Sequence, residues 1–157
     1  IRKSGFMATT LFSSTGGVYR GNLHGHSTHS DGRNSPAEVV ELYRAAGYDF
    51  TCLSEHLWSN PRFSAPTIID ATAFDSPDFV TIISAELHCR GKAHDRDGLW
   101  HIVANGLPSD FPMADNTETG PDMVRRAVAS GAYVTIAHPE WYCLTDEEAR
   151  SLAAAGA

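Results

Sequence analysis

The alternation of short strand patterns with helix-start signals is the feature that most constrains how this chain can fold. Ser35-Pro36-Ala37-Glu38 combines a serine N-cap, a proline at the first helical position and a glutamate that closes a capping box, and Thr145 begins a similar box. The predicted helices cover residues 36–46, 121–130 and 145–155, and the predicted strands cover 18–23, 49–53, 79–85, 99–107 and 132–137. This order predicts an α/β fold with a parallel sheet, either open or closed as a barrel.

The composition limits the kinds of molecule that the chain is expected to bind and the compartment in which it is expected to lie. The 157 residues are 42% hydrophobic and 20% charged, which is typical of about one globular domain. The net charge of −7 argues against a basic surface that binds nucleic acid, although it does not exclude a nucleotide as the substrate. No apolar run approaches the roughly 18 residues of a membrane span. Three widely spaced cysteines without a C-x-x-C motif favour a reducing, cytoplasmic compartment.

The chain divides into two parts. Residues 1–17 show neither helical nor strand periodicity and are rich in Ser, Thr and Gly, so we interpret them as a lead-in arm. Residues 18–157 carry all the predicted strands and helices and are expected to form one domain.

Imidazole and carboxylate groups come directly after four of the predicted strands. They are His24, His26, Asp31, Glu55, His56, Glu86, His88 and His138. In α/β barrels the carboxyl ends of the strands form the face where sites are built. A buried imidazole or carboxylate needs a polar or charged partner, and a divalent ion such as Zn, Mn or Fe can be that partner. The joint placement therefore predicts a metal centre.

Each motif also has an ordinary interpretation when it is taken alone. The H-x-H pair is a weak signal, Asp31-Gly32 is most often a turn, and Glu86 could be half of an ion pair. His29, His88 and His94 fit surface positions as well as positions around a site. Arg62 and Arg90 lie in predicted loops on the site face, which makes them candidates for contact with a substrate.

The motifs together resemble a known family. The segment NLHGHSTHSDG at residues 22–32 looks like the first motif of the polymerase and histidinol phosphatase (PHP) superfamily. Ser54-Glu55-His56 stands where the family usually has Thr-Asp-His, and Glu86, His101 and His138-Pro139 follow in the family's order. The likeness runs from about residue 18 to residue 141. It is closest to the stand-alone phosphoesterases, including the carbaryl-hydrolase-like group.

The resemblance implies a distorted (β/α)7 barrel, present here as an incomplete barrel of about five strands, with up to three divalent ions of Zn, Mn or Fe. Its implied ligand sets are His24, His26 and Glu86 for the first ion, Asp31 and His56 for the second, and Glu86, His101 and His138 for the third. The assignment of His101 rests on the resemblance alone, because this residue falls early in its predicted strand.

Two departures from the family pattern stand out. Glu55 replaces the usual aspartate beside His56, which lengthens the side chain. The closing Asp-x-His motif is absent from these 157 residues. Three explanations stay open: a piece of a longer protein, which is the interpretation we favour, a degenerate site, or a site that a partner chain completes.

The resemblance implies hydrolysis of a small phosphate mono- or diester by a metal-activated hydroxide, with no single protein nucleophile. Glu55, His88, Arg62 and Arg90 are the candidates for supporting the ligands or contacting the substrate. Two alternatives stay open: a carbamate, amide or ester hydrolase on the same centre, and a non-catalytic domain stabilised by metal. An amidohydrolase with a carboxylated lysine is disfavoured, because Lys3 and Lys92 lie away from the predicted strand ends. The oligomeric state is not indicated.

Overall fold

A computed structural model describes residues 16–60, 65, 67–92, 98–115 and 117–157. The strands are β1 (Gly21–Asn22), β2 (Phe50–Leu57), β3 (Val80–Arg90), β4 (Leu99–Asn105) and β5 (Tyr133–Ile136). The helices are α1 (Pro36–Ala45), α2 (Gly120–Ala129) and α3 (Asp146–Ala155), with a 3₁₀ turn at Thr72–Phe74. Most of the predicted arm, together with Arg62 and His94, lies outside the described residues. Within them, no helix is long and apolar enough to cross a membrane.

The five strands form one mixed sheet in the order β1-β2-β3-β4-β5, which is half of an α/β barrel. β1, β2 and β3 are parallel, whereas β4 is antiparallel to both β3 and β5. The prediction of an all-parallel sheet is therefore wrong at β4. Only residues 91–98 separate β3 from β4, and a parallel crossover needs about a dozen residues or more.

The reversal between β3 and β4 begins and ends at glycines. Gly91 and Gly98 have φ angles of +100° and +70°, in the left-handed region that a residue with a side chain seldom adopts. The Gly91 amide donates to the Gly98 carbonyl at 3.0 Å, which closes the connection.

The predicted capping boxes are confirmed at α1 and α3. Ser35 and Glu38 exchange hydrogen bonds with each other's backbone amides, and Thr145 and Glu148 do the same. A third box, formed by Thr119 and Asp122 at the start of α2, was not predicted. Each box satisfies backbone donors that the first turn of a helix would otherwise leave unpaired.

The main core lies between the sheet and the helices α2 and α3. It includes Leu87, Ile102, Ala104, Met123 and Leu152, none of which is more than 2% exposed. Because side chains alternate along a strand, the neighbours of Leu87 in sequence point to the other face of the sheet. Burial of one face of β3 thus presents its polar residues on the opposite face, inside the half-barrel.

β2 and β3 are longer than their sequence patterns predicted. β2 continues to Leu57 and β3 to Arg90, so Glu55, His56, Glu86 and His88 lie within strands and not after them. Backbone pairing of His56 with Glu86 extends the β2–β3 ladder through these polar positions.

A buried lysine joins the start of the β3–β4 connection to α3. The Lys92 ammonium, whose side chain is fully buried, lies 3.0 Å from Glu148 Oε2 and donates to the Cys143 carbonyl at 3.1 Å. Lys92 was predicted to lie away from a strand end, but it follows β3 by only two residues. Its contacts fix the segment that leads from β5 to α3.

We expect Lys92→Met to lower the free energy of unfolding by about 1–3 kcal/mol, because it removes the buried ammonium that donates to the Cys143 carbonyl and pairs with Glu148. Urea denaturation monitored by circular dichroism measures this change. Arg150→Met is the matched control, since Arg150 makes an exposed pair with Asp146 and its loss should cost no more than about 0.5 kcal/mol. Equal effects of the two variants would contradict the structural role of Lys92.

Candidate metal centre

The carboxylate of Glu86 is the centre of a cluster of histidines inside the half-barrel. Glu86 Oε2 lies 3.1 Å from His24 Nε2 and 3.3 Å from His26 Nε2. Glu86 Oε1 lies 3.0 Å from both His101 Nδ1 and His138 Nε2. The side chain of Glu86 is fully buried, so its oxygens face imidazoles and not solvent. Oε1 faces His101 and His138, and Oε2 faces His24, His26 and also His56, whose Nδ1 lies 3.3 Å away.

The strand directions explain how these residues meet. His24 and His26 follow β1, Glu86 lies near the end of β3, and His138 follows β5. His101 is near the start of β4, but β4 is antiparallel to β3, and His101 pairs with His88. The start of β4 thus lies at the edge where the parallel strands end. The sequence could not predict this placement without the reversal of β4.

A second group lies beside the first. His56 Nε2 is 3.4 Å from Asp31 Oδ2, and His26 Nδ1 is 3.9 Å from Asp31 Oδ1. The two ring nitrogens of His26 face opposite directions, one toward Glu86 and one toward Asp31. The rings of His26 and His56 stack at 4.4 Å with an interplanar angle of 15°. The structure thus brings together all seven residues that the resemblance implied as ligands.

His88 lies directly behind the second group. Its Nε2 atom is 2.7 Å from His56 Nδ1, and its Nδ1 atom is 3.1 Å from the Trp100 carbonyl oxygen. The side chain is only 1% exposed. Burial lowers the pKa of His88 to about 3, so the ring is neutral at physiological pH.

Glu55 does not point into the cluster, although it is adjacent to His56 in sequence. Its carboxylate lies on the reverse face of β2, where Oε1 accepts hydrogen bonds from the Ser27 amide at 2.9 Å and the Ser27 hydroxyl at 2.5 Å. Oε2 accepts a hydrogen bond from the Ser30 hydroxyl. Glu55 therefore anchors the segment between His26 and Asp31 to the sheet.

The electrostatics of the cluster favour an ionised carboxylate. Burial by itself would raise the pKa of Glu86, but hydrogen bonds from His101, His138, His24 and His26 outweigh it and hold the pKa well below its usual range. Burial opposes protonation of His26, yet the hydrogen bond with Glu86 raises the pKa of His26. Burial lowers the pKa of His56. A charged carboxylate surrounded by imidazoles is a donor set for a cation.

The spacing of the donor atoms fits a transition-metal ion. His24 Nε2, His26 Nε2 and Glu86 Oε2 are 3.1 to 3.3 Å apart. Ligands about 2.0–2.1 Å from a tetrahedral zinc ion stand roughly 3.3 Å from one another. Nitrogen and carboxylate ligands suit Zn, Mn and Fe alike, so the residues fit such an ion without identifying it.

Several predicted residues lie apart from the cluster. Arg90 is exposed at the end of β3, with its guanidinium 5.9 Å from the centre of the Trp58 ring. His29 contacts the Thr67 carbonyl at 3.1 Å and none of the clustered groups defined above. Arg62 and His94 fall outside the described residues.

Trp141 was not predicted, and it lies at the mouth of the site. It lines a cavity of about 400 Å³ together with His24, Asp31, Glu86 and His138. Its side chain is 81% exposed, and its ring centre is 4.8 Å from that of His138. An aromatic residue three positions after a strand-end histidine is the signal that could have indicated it.

The fold and the site define a half α/β barrel whose interior carries a candidate metal centre. No family model and no curated protein matches the chain. Among solved structures, the chain is similar to a two-domain protein from Bacteroides vulgatus that contains a predicted PHP-like metal-dependent phosphoesterase. The TM-score is 0.58 and the identity is 20%, with 84% of this chain and 40% of that chain covered. At this identity the likeness shows a shared fold.

We expect Glu55→Gln to loosen the segment between His26 and Asp31, because the amide group places N–H donors against the donors of Ser27 and Ser30. One lost or opposed hydrogen bond of this kind costs about 1–3 kcal/mol, so exchange of the Ser27 amide proton should accelerate by about 10- to 100-fold. Hydrogen exchange followed by NMR measures it.

Glu118→Gln is the control for that variant, since Glu118 is also a largely buried carboxylate but pairs with Arg126, away from the cluster. It should leave the Ser27 exchange rate unchanged. An unchanged rate in Glu55→Gln as well would show that Glu55 does not anchor this segment.

Proposed function

We propose that the chain is part of a PHP-type metal-dependent hydrolase, and that its reaction is the hydrolysis of a small phosphate mono- or diester. The observation that carries this proposal is the position of Glu86, whose two carboxylate oxygens face two different pairs of histidines at 3.0 to 3.3 Å. Such a carboxylate can bridge two cations, which is the arrangement that two-metal hydrolases use. The fold shared with a phosphoesterase-containing protein supports the same reaction.

The proposed ligands form three adjoining sets. The first is His24, His26 and Glu86, the second is Asp31 and His56, and the third is Glu86, His101 and His138. The matched solved structure is longer, since the chain covers 40% of it. We propose that the half-barrel described above belongs to a (β/α)7 barrel of which this chain supplies five strands.

Divalent ions held by these sets would acidify a water molecule and neutralise the negative oxygens of a phosphoryl group. The residues of the chain then have separate tasks. Glu86 keeps its negative charge between the two histidine pairs, and the strands hold the imidazoles within the half-barrel. The cavity of about 400 Å³ matches the size of a small-molecule site. Trp141 is the large apolar side chain positioned to contact the organic part of the substrate.

Glu86→Gln is the direct test. The variant keeps the size of the side chain but removes the negative charge between the proposed cations, so turnover should fall by at least ~10²-fold. The measurement is steady-state hydrolysis by the full-length protein that contains this chain, with an aryl phosphate, a bis-aryl phosphate and an aryl carbamate as substrates at saturating Mn²⁺ or Zn²⁺. Metal content is measured by elemental analysis on the same samples.

His29→Gln is the matched control, because it removes a histidine outside the cluster, and it should leave turnover unchanged. Faster hydrolysis of the carbamate than of either phosphate would show that the preferred substrate is a carbamate and not a phosphate ester. Bound metal with no turnover of any substrate would indicate a metal-stabilised domain and refute catalysis. Near-normal turnover of Glu86→Gln would refute the bridging role of this carboxylate.

Trp141 gives a separate prediction about the substrate. Trp141→Ala should raise KM for an aryl phosphate by about 2- to 10-fold, the equivalent of the 0.5–1.5 kcal/mol typical of an aromatic contact. KM for glycerol phosphate, which has no ring, should change less, and Trp141→Phe should retain most of the aryl preference. Equal changes in KM for both substrates would show that Trp141 does not contact the organic group.

A further inference from the structure

We infer that His88 is a positioning residue: it fixes the tautomer and the ring orientation of His56 through a hydrogen-bond chain that starts at the backbone of β4. His56 then presents Nε2 to the ion beside Asp31, and His88 itself is not a metal ligand. This inference rests on the proposed function in one respect, because it takes Asp31 and His56 to share a metal ion.

The direction of both hydrogen bonds follows from the backbone carbonyl at one end of the hydrogen-bond chain. The Trp100 carbonyl oxygen can only accept, so His88 Nδ1, at 3.1 Å, must carry a hydrogen. In a neutral imidazole the other nitrogen is then an acceptor. His88 Nε2 lies 2.7 Å from His56 Nδ1, so His56 Nδ1 must be the donor. Glu86 Oε2, 3.3 Å from the same atom, is a more distant second acceptor and requires the same hydrogen on Nδ1. His56 Nε2 therefore carries the lone pair, and it lies 3.4 Å from Asp31 Oδ2.

Burial keeps this chain of hydrogen bonds intact. His88 is 1% exposed, so water has little access with which to compete for either ring nitrogen. Its ring stands against His101 at 4.5 Å and 87°, which limits rotation. The ring that His88 holds in place also stacks on His26, so the orientation of His56 helps to fix a second proposed ligand.

The distances separate this role from that of a ligand. Two nitrogens bound to one tetrahedral zinc ion stand roughly 3.3 Å apart, and His24 Nε2 and His26 Nε2 are 3.2 Å apart. His56 Nδ1 and His88 Nε2 are only 2.7 Å apart, which fits a direct hydrogen bond. Although His56, Glu86 and His88 are close enough to enclose an ion, the short contact favours a shared hydrogen between the two rings.

The test is the tautomer of each ring in the metal-free and the zinc-loaded chain. Long-range ¹H–¹⁵N NMR of protein labelled at histidine distinguishes a protonated from an unprotonated ring nitrogen, and single His→Gln variants assign the signals. We expect both His56 and His88 to carry hydrogen on Nδ1. Zinc should shift the signal of His56 Nε2 and leave that of His88 Nε2 close to its metal-free value.

A His56 ring with hydrogen on Nε2 in the metal-free chain would overturn the inference, and so would a large zinc-induced shift at His88 Nε2. These spectra do not depend on turnover. If the chain binds zinc with these tautomers but the full-length protein hydrolyses no phosphate, the proposed reaction is refuted and the role of His88 stands. Failure of the chain to bind zinc would refute the metal centre. It would also refute the part of this inference in which His56 and Asp31 share a metal ion.

Two variants add an energetic readout. His88→Leu should weaken zinc binding at the affected site by about 10- to 100-fold, the usual effect of losing a partner of a metal ligand, with the stoichiometry at saturating zinc unchanged. His88→Gln should recover most of the affinity, because its amide can donate to Trp100 and accept from His56. His29→Gln is the control, and circular dichroism checks folding.

Loss of one zinc ion per chain at saturation in both His88 variants would show that His88 is a ligand. Equal affinities of His88→Leu and the parent chain would show that His56 needs no support from this residue. If His88→Leu fails to fold, His88→Gln and the spectra of the parent chain decide the question.

Discussion

The burial of one carboxylate among imidazoles is the constraint on which this structure depends. An isolated buried charge is very unfavourable, so the fully buried Glu86 side chain needs donors from every direction. Those donors come from segments that follow β1 and β5 and from β4 itself. The site therefore exists only when distant parts of the chain have folded together. A cation that binds it would stabilise the folded state by mass action.

The reversal of β4 is what completes that set of donors. If β4 ran parallel to β3, His101 would lie near the opposite end of the sheet, roughly 13 Å away, which is the rise of a strand over the four steps from position 101 to position 105. The short connection with glycines at both ends prevents that arrangement. A local feature of the chain, the length of one loop, thus decides whether Glu86 has a second pair of histidines.

Much of this could be predicted from the sequence, and the exceptions have physical causes. The capping boxes at Ser35 and Thr145 depend on local patterns, and the succession of strand-end motifs predicted that the histidines would converge. The true lengths of β2 and β3 do not, because polar residues such as Glu86 are poor strand formers unless the fold supplies partners for them. The direction of β4 and the exposed position of Trp141 depend on tertiary contacts that no single pattern records.

The group formed by His26, Asp31 and His56 is held in place from both faces of β2. Side chains alternate along a strand, so Glu55 and His56 point to opposite faces. Glu55 holds the segment that carries His26 and Asp31, while His56 is held from behind by His88. Both arms of the group are thus held by protein contacts. A site whose ligands are already held in place loses little conformational freedom when an ion binds, which strengthens binding and keeps the geometry constant. The buried second layer of Glu55 and His88 is therefore as much a part of the proposed centre as the residues that would touch the metal.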